Sequence, residues 1–152
     1  MLLILVLLLW NVGEIIYIYG VFRKKQTLFD DRYTKTMCMA LSSISSFVLA
    51  LYLTLLLPLN PLTYFLPSLA GLWIGWKFGS FMKAPASLNG MYNGALGGIM
   101  GMMFGAVLQN PAICNIPIET EASFTSNLVS LVIFCAALHT LVHHFIRNSL
   151  TN

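Results

Sequence analysis

Cysteine and histidine recur at every fourth position of the last apolar stretch of this chain, as Cys135, His139 and His143. A helix turns about 100° per residue, so each step of four shifts the side chain by only ~40° and the three form one stripe down a helix face. Thiolate and imidazole are ligands for zinc and copper, and an i, i+4 pair can place two of them on one ion. The stripe is therefore a candidate metal site, with copper or zinc as the expected ion. The competing reading is ordinary packing near a membrane edge, because His143 and His144 stand close to Arg147 and a cysteine is a small apolar filler. His139, the deeper of the histidines, resists that reading most.

The second polar feature is an acid. Glu14 stands in the first apolar stretch, nine residues before Arg23, which is about 13 Å along a helix axis. A carboxylate at such depth costs at least about 2.5 kcal/mol on insertion scales and so faces an interior partner or water. Asn11, three residues earlier, shares its face and is expected to hydrogen-bond to it. Glu14 and Asn11 together form a candidate polar pathway, able to carry a proton or bind a cation. Lys77 is the obvious counter-ion, but it points away from the glycine face of its own stretch and lies six residues before Lys83. Its stem is expected to carry the ammonium to the inner interface instead.

Methionine adds a weaker pointer toward copper. Met37 and Met39 flank Cys38, and Met91, Met100, Met102 and Met103 populate the fourth stretch; soft thioethers suit Cu(I). These four scatter around their helix, which fits flexible filling better than a ligand set. No enzyme signature accompanies them: the chain has no Gly-x-Ser-x-Gly, no His-Glu-x-x-His and no phosphate-cradling loop, and no enzyme activity is expected. Cys114 is the one cysteine outside the apolar stretches, so no disulfide framework is expected there.

The elements that must position these residues are dictated by composition. Hydrophobic residues make up 58% of the 152 and charged ones 9%, against roughly 25% charged in soluble domains. A soluble fold of this size cannot hide that much apolar surface. Lipid as solvent requires every backbone polar group to be satisfied within a helix or a closed barrel. The apolar runs are continuous and not alternating, which selects helices.

The expected architecture is a single all-α transmembrane bundle of five spans, at about 2–22, 37–57, 62–82, 88–108 and 127–146. Each approaches the roughly 20 residues needed to cross a hydrocarbon core of about 30 Å. The first span has no basic segment ahead of it and no small-residue cleavage pattern after it, so it is expected to stay as a membrane helix. Arg23, Lys24, Lys25, Arg32 and Lys35 crowd the loop after it, Lys83 follows the third span and Arg147 the fifth, while the other two loops hold no Lys or Arg. By the positive-inside rule the N-terminus faces outward and the C-terminus lies in the cytoplasm. The net charge of +3 is this orientation signal and not a nucleic-acid footprint. Short loops and that bias fit a bacterial cytoplasmic membrane.

Glycine supplies the internal order. Gly71, Gly75 and Gly79 in the third span, and Gly90, Gly94, Gly97, Gly98, Gly101 and Gly105 in the fourth, each fall within a sector of roughly 100° on their helix. Such faces let backbones approach closely and replace the hydrophobic drive that lipid removes. Cys38, Ser42, Ser45 and Ser46 give the second span a matching small face. Spans two to four are expected to be the tight core, with Glu14 and the Cys135, His139, His143 stripe on the flanking helices. The functional expectation is a small transport or ion-homeostasis protein handling protons or copper or zinc, as a homo-oligomer in the lipid bilayer. The alternative is a non-catalytic accessory subunit docked on a larger membrane complex.

Overall fold

A computed structural model describes residues 2–25, 31–57, 65–80, 84–114 and 121–151, with the side chains of residues 25, 31, 121–123, 150 and 151 excepted. Five α-helices lie among them: α1 (Leu2–Lys25), α2 (Asp31–Leu56), α3 (Phe65–Gly79), α4 (Ala84–Gln109) and α5 (Glu121–Thr151), with one short 3-10 turn at Pro111–Cys114. No strand occurs among the described residues. Four of the helices are long and apolar enough to cross a membrane: Leu2–Lys24, Arg32–Leu56, Ala84–Gln109 and Phe124–Ser149. The expected third span corresponds to α3, which is 15 residues long as described; residues 62–64, 81 and 82 of that span lie outside the described residues.

The helix ends follow local chemistry. Pro67 and Pro85 sit in the first turns of α3 and α4, where the missing N–H has no intrahelical acceptor to lose. Asn110 precedes Pro111 and lies just past the end of α4, as expected for a residue pushed out of the helical region by the following ring. The Gln109 amide then donates from Nε2 to the carbonyls of Thr54 at 2.6 Å and Leu57 at 3.1 Å. It thereby satisfies backbone acceptors that the end of α2 would leave open.

α2 is the central helix and touches each of the other four. Its interfaces differ in kind. Toward α4 the backbones themselves meet, and α4 meets α3 in the same way: a Cβ placed on Gly101 would stand 2.2 Å from the Phe47 carbonyl oxygen, and one on Gly75 would stand 2.2 Å from that of Gly90. The glycine face of α4 is divided between two neighbours. Gly90, Gly94 and Gly98 oppose Gly71, Gly75 and Gly79 on α3, while Gly97, Gly101 and Gly105 oppose Ser43, Phe47 and Thr54 on α2. The Ser46 hydroxyl crosses the same junction and donates to the Gly71 carbonyl at 3.0 Å.

Toward α1 and α5, by contrast, α2 is joined through side chains. Ile18, Phe22, Met37, Cys38, Leu41, Ile74, Phe78 and Ile146 make one apolar cluster. Ile4, Val48, Leu51, Tyr52, Leu55, Val132 and Cys135 make a second. The first lies toward the Lys25 end of α1 and the second toward its Leu2 end, so α1 and α5 run parallel, with α2 antiparallel to both. The Tyr52 hydroxyl donates to the Val132 carbonyl at 2.9 Å, and Tyr33 hydrogen-bonds Ser149 near the other end of α5.

The backbone-to-backbone junction makes a sharp expectation. Gly75→Ala should lower the stability of detergent-solubilised protein by about 1–3 kcal/mol, since the displaced atoms are backbone and cannot rotate away. Gly20→Ala, where nothing lies within 4 Å of an added Cβ, should be neutral or stabilising by about 0.5–1 kcal/mol. Unfolding monitored by circular dichroism checks both, and equal effects at the two positions would contradict the described junction.

Candidate metal and proton site

Between the two apolar clusters lies a layer of polar side chains. Asn11, Ser45, His139 and His143 are buried there and Glu14 joins them at the edge. Helical phase explains the layer: on α1 the residues 4 and 18 belong to the clusters above and below it, as do Val132 and Ile146 on α5 and Val48 and Leu41 on α2.

Glu14 binds across the helix seam. Its Oε2 accepts from His139 Nδ1 at 3.0 Å and from the Thr140 hydroxyl at 3.1 Å, and its Oε1 accepts from the Trp10 indole at 3.1 Å. The His139 side chain is fully buried and that of Glu14 is 20% exposed. A carboxylate on Nδ1 fixes the ring orientation and leaves Nε2 as the free lone pair, the arrangement that commonly backs a metal-bound histidine. Nε2 is indeed buried without a partner.

His143 repeats the arrangement one turn along. Its Nε2 shares a hydrogen bond with the Ser45 hydroxyl at 3.1 Å, and its Nδ1 is likewise buried without a partner. The two imidazoles lie 3.9 Å apart by centroid and are tilted by 48°. One ligand atom from each of Glu14, His139 and His143 lies within 4.8 Å of the other two. Ligands sharing one tetrahedral zinc ion stand roughly 3.3 Å apart, so a shared ion would require Glu14 to leave His139 Nδ1 and the two rings to turn toward it. A cavity of about 130 Å³ lined by Glu14, Tyr17, Ile18, Thr140, His143, His144 and Arg147 runs beside the group. It offers approach from the Arg147 end of α5.

The structure divides the residues singled out from sequence. Glu14, His139 and His143 come together, whereas Cys135 is packed in the apolar cluster with Val48, Leu51 and Tyr52 and stands outside the ligand group. A stripe at four-residue spacing spans about 12 Å from its first to its last Cα, too far for one ion to collect all three. The expected Asn11 to Glu14 hydrogen bond is not formed. Asn11 donates instead to the Leu7 carbonyl at 2.6 Å, because helical side chains lean toward the N-terminus and onto the preceding turn. The Lys77 ammonium lies 5.4 Å from the Trp73 ring and 5.6 Å from the Trp76 ring, while Lys83 lies outside the described residues.

Thr140 and Trp10 are partners that sequence reasoning passed over. Each had a signal, since Trp10 precedes Glu14 by one helical turn and Thr140 adjoins His139. Comparison with known protein families, curated proteins and solved structures gives no match. The functional reading therefore rests on the geometry of this layer.

A double-mutant cycle tests whether Glu14 and His139 act as a pair. Glu14→Leu and His139→Leu should each destabilise the protein by leaving a buried polar partner exposed to apolar surroundings. The pair should show a coupling free energy of about 1 kcal/mol, within the range for contacting residues. Additive effects would mean that the contact carries no stability.

Proposed function

We propose that this chain is a small five-span transport or ion-homeostasis protein of the cytoplasmic membrane, with its N-terminus outside, that handles a divalent transition-metal cation at Glu14, His139 and His143. The observation that carries this reading is the convergence of a carboxylate and two imidazoles in one buried layer, with His139 Nε2 and His143 Nδ1 both lacking partners. Buried imidazole nitrogens without partners are costly in an apolar surround. A bound cation removes that cost.

Donor chemistry selects among the ions. With Cys135 outside the group, the set is one carboxylate and two imidazoles, which suits zinc and leaves a fourth position open for water or cargo. Cu(I) prefers thiolate and thioether, so zinc is favoured over copper. The same carboxylate and imidazole pair can also hold and pass a proton, as Glu and His chains do in membrane carriers. Oligomerisation accompanies this reading, because five spans make a thin bundle around any path.

A second reading has its own support. Glu14 retains partial exposure at the α1 and α5 seam, next to the exposed ring of Trp10, and a carboxylate facing lipid is costly. An accessory subunit would cover that seam with a larger membrane partner.

Metal content of purified protein separates these readings. Wild type is expected to bind about one zinc ion per chain, with Glu14→Gln and His139→Ala abolishing binding and Cys135→Ser preserving it. Ser45→Ala, which removes the hydroxyl behind His143, should weaken zinc affinity by roughly 10-fold or more. Titration calorimetry and elemental analysis read all four. Wild-type protein without affinity for zinc, and cells whose zinc tolerance ignores Glu14→Gln, would sink the metal reading; one stoichiometric co-purifying membrane protein would favour the accessory one.

A further inference from the structure

On the face of the bundle away from the polar layer, α1 and α3 are separated by a groove of about 290 Å³ lined by Ile15, Ile16 and Tyr19 on one side and Trp73, Ile74, Lys77 and Phe78 on the other. The T-shaped contact of Tyr19 with Phe78, 5.8 Å between centroids, closes its floor. Its walls are apolar except for one cation. The Lys77 ammonium rests over the faces of Trp73 and Trp76, and indole faces hold a cation but do not neutralise it. Glu14, the one acid whose side chain is described, is engaged by Trp10, His139 and Thr140 and not by Lys77.

A charge at the rim of an apolar slot facing lipid calls for a ligand with an anionic head and a long apolar tail. We propose that this groove holds one acidic phospholipid, with its phosphate on Lys77 and an acyl chain along Ile15, Ile16 and Ile74. The volume lies at the lower end of the roughly 300–1,000 Å³ of ligand pockets, enough for part of one chain while the head stays outside. The α1 wall continues toward the polar surface at helical spacing, from Ile16 through Tyr19 to Arg23, which is exposed. A basic residue at the rim of an apolar pocket between membrane helices is the pattern that selects acidic headgroups. The occupant belongs to the leaflet at the Lys25 end of α1, where the remaining cations of the first loop also gather. This site shares no residue with the proposed cation site, and each can fail alone.

The test reconstitutes full-length protein into vesicles of equal parts phosphatidylcholine and phosphatidylglycerol, extracts it into mild detergent and counts retained lipids by native mass spectrometry. Wild type is expected to retain about one phosphatidylglycerol per chain in preference to phosphatidylcholine. Lys77→Gln should reduce that retention about fivefold, the effect of one basic side chain near an acidic lipid, while Lys77→Arg restores it. Ile16→Trp, a change at the exposed rim that keeps the charge, should block the acyl chain and lower retention even where Lys77→Gln fails to fold. Equal retention of the two lipids by wild type overturns the proposal, as does full phosphatidylglycerol retention in a folded Lys77→Gln or Ile16→Trp protein.

Discussion

Everything in this bundle is arranged around the requirement that polar atoms inside an apolar solvent find their partners within the protein. The Glu14 to His139 contact is where that requirement is most severe. On α5 both His139 and Thr140 bond the one carboxylate of α1, so the axial register of α1 and α5 depends on Glu14. Thr140 and Trp10 saturate the carboxylate, and Ser45 brings α2 into the same layer through His143. A slip of one residue on any of the three helices would turn its group by about 100° away from the present partners. Apolar packing in lipid has little directional preference, whereas this layer has one correct alignment.

The two halves of the bundle therefore cohere by different physics. α3 and α4 meet backbone to backbone, and α4 meets α2 in the same way. Dispersion between closely opposed main chains and weak Cα–H contacts hold that half, with little room for adjustment. α1 and α5 instead touch α2 through large side chains such as Tyr52, Phe22 and Leu51, which can shift rotamers at modest cost. The rigid half carries few chemically active groups. The adjustable half carries nearly all of them, including the cavity that leads to the carboxylate.

Much of this division is legible in the sequence. Continuous apolar runs identify helices, and glycines that fall within one sector of a helix identify the close junction, because both signals are periodic and local. Glu14 and His139 stand out for the same reason, as polar residues at membrane depth. What periodicity cannot supply is which helices adjoin. Cys135, His139 and His143 share a face at four-residue spacing, yet the face is long, and its two ends meet different neighbours: Cys135 meets Tyr52 and Leu51, while His139 meets Glu14. The choice between cysteine and carboxylate as the third donor depends on the position of α1, which no spacing within α5 encodes. The Asn11 partner differs from the expected one through direction and not through depth, since its side chain folds back toward the preceding turn.

That exchange of donors has chemical consequences. A cysteine, histidine, histidine set is soft and would bind Cu(I) tightly, with the thiol losing its proton on binding. A glutamate, histidine, histidine set is harder and exchanges ligands readily, which suits an ion that must also leave. Burial in the apolar cluster keeps the Cys135 thiol away from the layer, so the soft donor does not compete for the same ion. The carboxylate is also the least buried member of the group, and it lines the cavity together with His143. A cation entering that cavity would meet Glu14 and His143 before the fully buried His139. Under the proposed cation reading, binding would draw on side chains of α1 and α5 with Ser45 of α2 behind His143, so occupancy would depend on the alignment of these three helices.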